Sequence, residues 1–120
     1  MRRILFSGCG TVRVMSADHV VVTTTVDSEA AARTIAASAI EARLAACAQI
    51  VGPITSVFRW EDEVQTAAEW RVECKTAADR SGALEEFLNV RHPYDLPEVI
   101  VTPIVGGSPR YLSWLVEETR

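Results

Sequence analysis

The sequence predicts one α+β domain in the order β-α-β-β-α-β, closed by a carboxy-terminal helix. Three observations carry that prediction. β-branched runs at both ends of the globular part (HVVVTTTV from His19, EVIVTPI from Glu98) read as strands. Two long segments joined by Glu61-Asp62-Glu63 read as a hairpin with a charged tip. Two apolar stripes at helical spacing fall between the strands. The order is the split-βαβ or ferredoxin-like plan. That plan hosts many unrelated functions, so function has to come from particular residues.

His19 to Val26 is β-branched almost throughout and is expected to be a strand buried on both faces. Asp27-Ser28-Glu29 then supplies a capping oxygen and a first-turn acid for a helix. That helix is expected over Ala30 to Cys47, with Ala32, Ile35, Ala36, Ala39, Ile40 and Leu44 turned inward. Ala48 to Val51 opens the second strand, Gly52-Pro53 bends it, and Ile54 to Trp60 continues it. In the third strand, Val64 to Thr76, Trp70, Val72 and Cys74 alternate with Glu69, Arg71, Glu73 and Lys75, the pattern of a sheet with one wet face. Asp79 is expected to cap a second helix whose stripe is Leu84, Phe87 and Leu88. Pro103 marks the fourth strand as an edge or its end. Ser108-Pro109 opens the last helix, with Leu112, Leu115 and Val116 inside.

Between the second helix and the fourth strand lies His92-Pro93-Tyr94-Asp95-Leu96-Pro97-Glu98. Two prolines stiffen it, and it holds an imidazole, a phenol and two carboxylates on a rigid loop. Loops of this kind commonly carry binding chemistry.

Strand length adds an argument about assembly. Val64 to Thr76 spans roughly 40 Å at the ~3.4 Å rise per residue of an antiparallel strand. A domain of ~100 residues has a radius of gyration of only ~13 Å. The hairpin must therefore overshoot its own domain or be broken by a bulge. An overshooting edge carrying Trp60 and Trp70 calls for a second subunit to cover it, and both tryptophans are expected at an oligomer interface.

Composition excludes several classes. The chain has 120 residues, 48% hydrophobic and 23% charged, as in an ordinary soluble globular protein. A formal charge of −4 with scattered basic residues argues against a nucleic-acid surface. No apolar run approaches the ~20 residues of a membrane helix. Cys9, Cys47 and Cys74 are odd in number and lack a Cys-x-x-Cys spacing, which fits a reducing, cytoplasmic setting. Residues 1–17 are expected to be a disordered extension, with the domain proper over 18–120. The sequence offers no nucleophile–base arrangement, zinc motif or general-acid pair, so no enzyme is expected.

Four blocks resemble the CutA family, the divalent-cation tolerance proteins. They are Arg43-Leu44-Ala45-Ala46-Cys47, Ile54-Thr55-Ser56-Val57-Phe58-Arg59-Trp60, His92-Pro93-Tyr94 with Pro97-Glu98, and Tyr111-Leu112-Ser113-Trp114-Leu115. The resemblance runs from about His19 to Arg120. It implies a homotrimer arranged like PII-type signalling proteins, a response to metal ions, and binding of copper(II) or another divalent cation.

His92 is the family-matched ligand, and copper(II) prefers imidazole nitrogen beside oxygen or thiolate. Val26 and Arg91 stand where some members carry a cysteine and a second histidine, so the resemblance implies weak binding. Asp62 and Glu63 replace the Gly-Lys common after Trp-Glu at the hairpin turn. The alternative is a PII-like small-molecule sensor with its ligand in a cleft between subunits near Arg59, Tyr94 and Trp114.

Overall fold

The computed structural model describes residues 17–120, so the expected extension lies outside the described residues apart from Ala17. The strands are β1 (His19–Val26), β2 (Cys47–Trp60), β3 (Glu63–Ala77) and β4 (Val99–Ile104). The helices are α1 (Glu29–Glu41), α2 (Ser81–Arg91) and α3 (Pro109–Glu117). One four-stranded sheet has the order β2-β3-β1-β4, antiparallel at every contact. This is the α+β arrangement expected.

One face of the sheet carries the core. Val20, Val22 and Val26 of β1 and Val72 and Cys74 of β3 are buried against Ala32, Ile35, Ala36 and Ala39 of α1 and Leu84 and Leu88 of α2. The alanines bring α1 close to the sheet. β1 is therefore fully buried on one face, while Val21 and Thr23 on the other are half-buried. The bare side is partly closed by α3, which touches β3 and β1 and buries Leu115.

Ser28 caps α1, its hydroxyl accepting from the Ala31 N–H at 3.0 Å. The helix ends at Glu41 rather than running on to Cys47. Arg43 takes a left-handed φ of 58°, and two bonds close the end: Arg43 N–H to the Ile40 carbonyl (3.0 Å) and Leu44 N–H to the Ala39 carbonyl (3.1 Å). That is a Schellman ending with arginine where glycine is usual, which no propensity argument foretold. Cys47 is thereby released to start β2.

Asp79 does not cap α2. It sits in a 3-10 turn, Ala78–Arg80, and pairs with Arg120 at 3.0 Å.

The hairpin settles the length question. β3 runs without interruption, and the extra residue falls on β2, where the register slips between Val51 and Ile54 around Gly52-Pro53. The Trp70 indole lies against Gly52 so closely that a Cβ there would meet Trp70 Cδ1 at 2.4 Å. β1 pairs with β3 only as far as Trp70, so Glu63 to Glu69 pair with β2 alone. The radius of gyration is 15.4 Å, above the ~13 Å of a compact chain of this length.

Trp70 does not lie on a free edge. It stands at the last rung shared with β1 and packs on the core. Trp60 lies at the far end of the hairpin, 41% exposed. Between them Glu61 (φ 51°) and Asp62 (φ 66°) form a two-residue turn with both residues left-handed and no glycine.

Candidate functional site

The rigid loop after α2 is pinned by its histidine. His92 is 8% exposed, and its Nε2 lies 2.7 Å from the Thr25 carbonyl while Nδ1 accepts the Tyr94 backbone N–H at 3.1 Å. Nδ1 accepts, so Nε2 must carry the proton and donate to Thr25. Both ring nitrogens are occupied. In this arrangement His92 has no free lone pair for a metal, and the expectation of a His92 ligand does not carry over to the folded chain. Among the described residues no group of three or more His, Cys, Asp or Glu side chains stands close enough to hold an ion. The donor set of the described residues therefore does not fit a copper centre.

What the loop does hold is Tyr94. Its ring sits edge-on to His92 with centroids 4.6 Å apart, and its hydroxyl donates to Glu69 Oε2 at 2.8 Å. Burial first, and the bond to the Glu69 carboxylate second, keep the Tyr94 phenol protonated above its ordinary range. Glu69 was expected on the wet face of β3, yet it is only 8% exposed, because the loop folds over it. Sequence alternation assigned the face correctly but could not show that the loop covers it.

This cover walls one side of a groove of about 660 Å³ along the hairpin. The hairpin contributes Ser56, Phe58, Arg59, Trp60, Gln65, Ala67 and Glu69. The loop contributes Tyr94, Asp95, Leu96 and Glu98, and β1 contributes Thr25. Arg59 and Tyr94 thus line one groove within the chain, with Arg59 held toward the tip by a 3.4 Å bond to the Asp62 carbonyl.

Trp114 is elsewhere. It lines a depression of about 340 Å³ with Ile40, Arg43, Ala46 and Glu118, at the carboxy-terminal end of α1. A single chain does not bring Trp114 to the Arg59–Tyr94 groove, because α3 packs at the opposite end of β3, where Tyr111 lies beside Lys75. The residue that sequence reasoning missed is Glu69. A carboxylate preceding Trp70 in a strand carries no signal of its burial.

The two described thiols are free. Cys74 is fully buried, and burial pushes its thiol up to about 12, as expected of an unreactive core cysteine. Cys47 is half-buried at the start of β2.

The profile of the CutA1 divalent ion tolerance protein family matches residues 20–118. The divalent-cation tolerance protein CutA of Thermus thermophilus is 44% identical over 99 residues, 82% of this chain and 96% of that protein. The chloroplastic CutA of Arabidopsis thaliana is 44% identical over 101 residues, but the match spans 84% of this chain and only 56% of that longer protein. Among solved structures, the divalent cation tolerance protein from Thermus thermophilus superposes with a TM-score of 0.82 at 43% identity, covering 85% of this chain and 99% of that one. CutA1 from Oryza sativa gives 0.83 at 44% identity, covering 87% and 95%.

Proposed function

The chain belongs to the CutA1 divalent ion tolerance family, and from that premise we propose that it serves divalent-cation tolerance as a cytoplasmic, non-catalytic homotrimer. The observation that carries the assembly is the part of β3 that outruns β1. Among the described residues, one edge of β3 from Glu63 to Glu69 has no partner strand, and the outer edge of β2 has none along its length. Val57, Phe58, Trp60 and Val64 are exposed on the same hairpin. Paired strand edges between copies would satisfy the backbone and cover these side chains, as a closed ring of identical subunits requires. Trp60 is in this reading an interface residue, and Trp70 supports the interface from the core side.

Copper(II) or another divalent cation binds weakly, at a site that needs donors from more than one chain. The occupied ring of His92 supports this, as does the scatter of carboxylates among the described residues. Light scattering at micromolar protein is expected to give about three times the 13.1 kDa subunit mass. A monomer would overturn the proposal. Calorimetric titration with copper(II) is expected to give micromolar or weaker affinity, whereas nanomolar binding that survives dissociation of the oligomer would refute a shared weak site.

A second reading is favoured by one observation, the groove that holds Arg59 and Tyr94 beside the open strand edge. In this reading the protein is a PII-like trimeric sensor of a small molecule bound at a subunit boundary. A ligand that raises the melting temperature of the trimer supports it.

A further inference from the structure

We propose that the groove between the hairpin and the 92–98 loop is the seat of α3 from a second copy of this chain, with that helix's two aromatic rings against the groove wall and its first-turn arginine toward the groove carboxylates. The inference rests on the trimeric reading and identifies the two surfaces that close the ring.

A closed ring of three identical subunits is built from heterologous contacts, so each copy must offer two different patches that fit one another. The exposed aromatic side chains of the described residues fall in two places. Phe58 and Trp60 lie in the groove, beside the exposed Leu96 of the loop. Tyr111 and Trp114 lie on α3, with ring centroids 5.5 Å apart. Aromatic side chains left in water on two patches of one molecule are the usual anchors of an interface.

The two patches lie at opposite ends of one strand. Tyr111 stands beside Lys75, which is six positions along β3 from Glu69 in the groove, roughly 20 Å of strand. Side chains an even number of positions apart share a face, so both patches belong to the same side of the sheet. α3 cannot fill the groove of its own chain, whereas a copy docked head to tail brings helix and groove together.

Shape and charge select the helix as the occupant. A helix laid in a cleft is a recurring way to cover apolar surface, and the groove encloses about 660 Å³. Its charged residues are Glu69, Asp95 and Glu98 against Arg59, whose guanidinium is held toward the tip by the Asp62 carbonyl. On α3, Arg110 is one turn from Trp114, exposed, and in no ion pair among the described residues. The other exposed aromatic element, the hairpin, ends in Glu61-Asp62-Glu63 and would bring like charge to the groove.

The test replaces Leu96 with the photoreactive benzoylphenylalanine and refolds isotope-labelled and unlabelled copies together, so that contacts between chains are told from contacts within one. Mass spectrometry is expected to find the crosslink on α3 of the other chain. A trimer whose crosslinks fall elsewhere, stay within one chain or do not form overturns the proposal. A dilution series followed by light scattering gives a second measure. Trp114→Phe is expected to dissociate like the parent, and Trp114→Glu at least about tenfold more readily, with Trp114→Arg between them. A trimer indifferent to Trp114→Glu refutes the docking of α3 and leaves the trimeric reading standing. A parent that is monomeric at micromolar concentration overturns both. The crosslink uses an unaltered α3, so it decides the matter whether or not the Trp114 variants fold.

Discussion

Replacing Tyr94 with Phe removes one oxygen and tests what holds the loop over Glu69. The bond lost is 2.8 Å long, from a phenol to a carboxylate that is 8% exposed. Hydrogen bonds to charged groups contribute about 1.5–3 kcal/mol, and stranding a buried acceptor costs about 1–3 kcal/mol. Tyr94 is itself half-buried, so water can reach part of the vacated space. The expected loss is therefore at the lower end, about 1–2 kcal/mol. Urea denaturation at fixed protein concentration measures it, since the stability of the proposed trimer would depend on concentration. Glu69→Gln and the double variant complete a cycle, with an expected coupling of about 1 kcal/mol. A Tyr94→Phe change within ~0.5 kcal/mol of the parent, the range of a neutral surface substitution, would refute the reasoning. The pair also has a signature at high pH. The Tyr94 phenol titrates higher in the folded chain than in the unfolded one, so its contribution is complete below the unfolded value of about 10 and is lost as pH rises beyond it. The parent should lose stability above that pH more steeply than Tyr94→Phe.

Four further outcomes are expected. Gly52→Ala places a methyl within 2.4 Å of the Trp70 ring and should cost about 1–3 kcal/mol by urea denaturation, relieved in part by Trp70→Leu. Leu88→Ala empties a fully buried site between α2 and the sheet and should cost about 2–5 kcal/mol, with the mass in native buffer the same as that of the parent. Glu61-Asp62→Asn-Gly puts residues suited to left-handed φ into the hairpin turn and should stabilise by about 1 kcal/mol, whereas a loss would mean that the acidic turn makes contacts in the assembly. In a Cys9→Ser background a thiol reagent at pH 8 should label Cys47 readily and Cys74 only at the rate of unfolding, because burial keeps the Cys74 thiol protonated up to about 12.

The order of elements was legible in the sequence because each is written locally. β-branched runs make β1 and β4, the Ser28 cap and small-residue stripe make α1, and Leu84 and Leu88 make the inner face of α2. The long hairpin was legible too, from length alone. Tertiary structure decided what depends on neighbours distant in sequence. It ended α1 at Glu41 through a left-handed Arg43, whose extended side chain also reaches the Glu118 carbonyl at 3.3 Å. It gave Asp79 to Arg120 rather than to a helix end. It placed Trp70 at the last rung of the core, with the bulge on β2 facing it. The site shows the same division. His92 and Tyr94 stand out in the sequence as polar residues on a proline-stiffened loop. Their roles do not, because Nε2 and the phenol are assigned by Thr25 and Glu69, which lie 67 and 25 residues away along the chain. A residue's type states which bonds it can make. Only the fold brings the partner that decides which bond forms, and here it turned an expected metal ligand into a brace and an expected surface carboxylate into the buried charge of a groove.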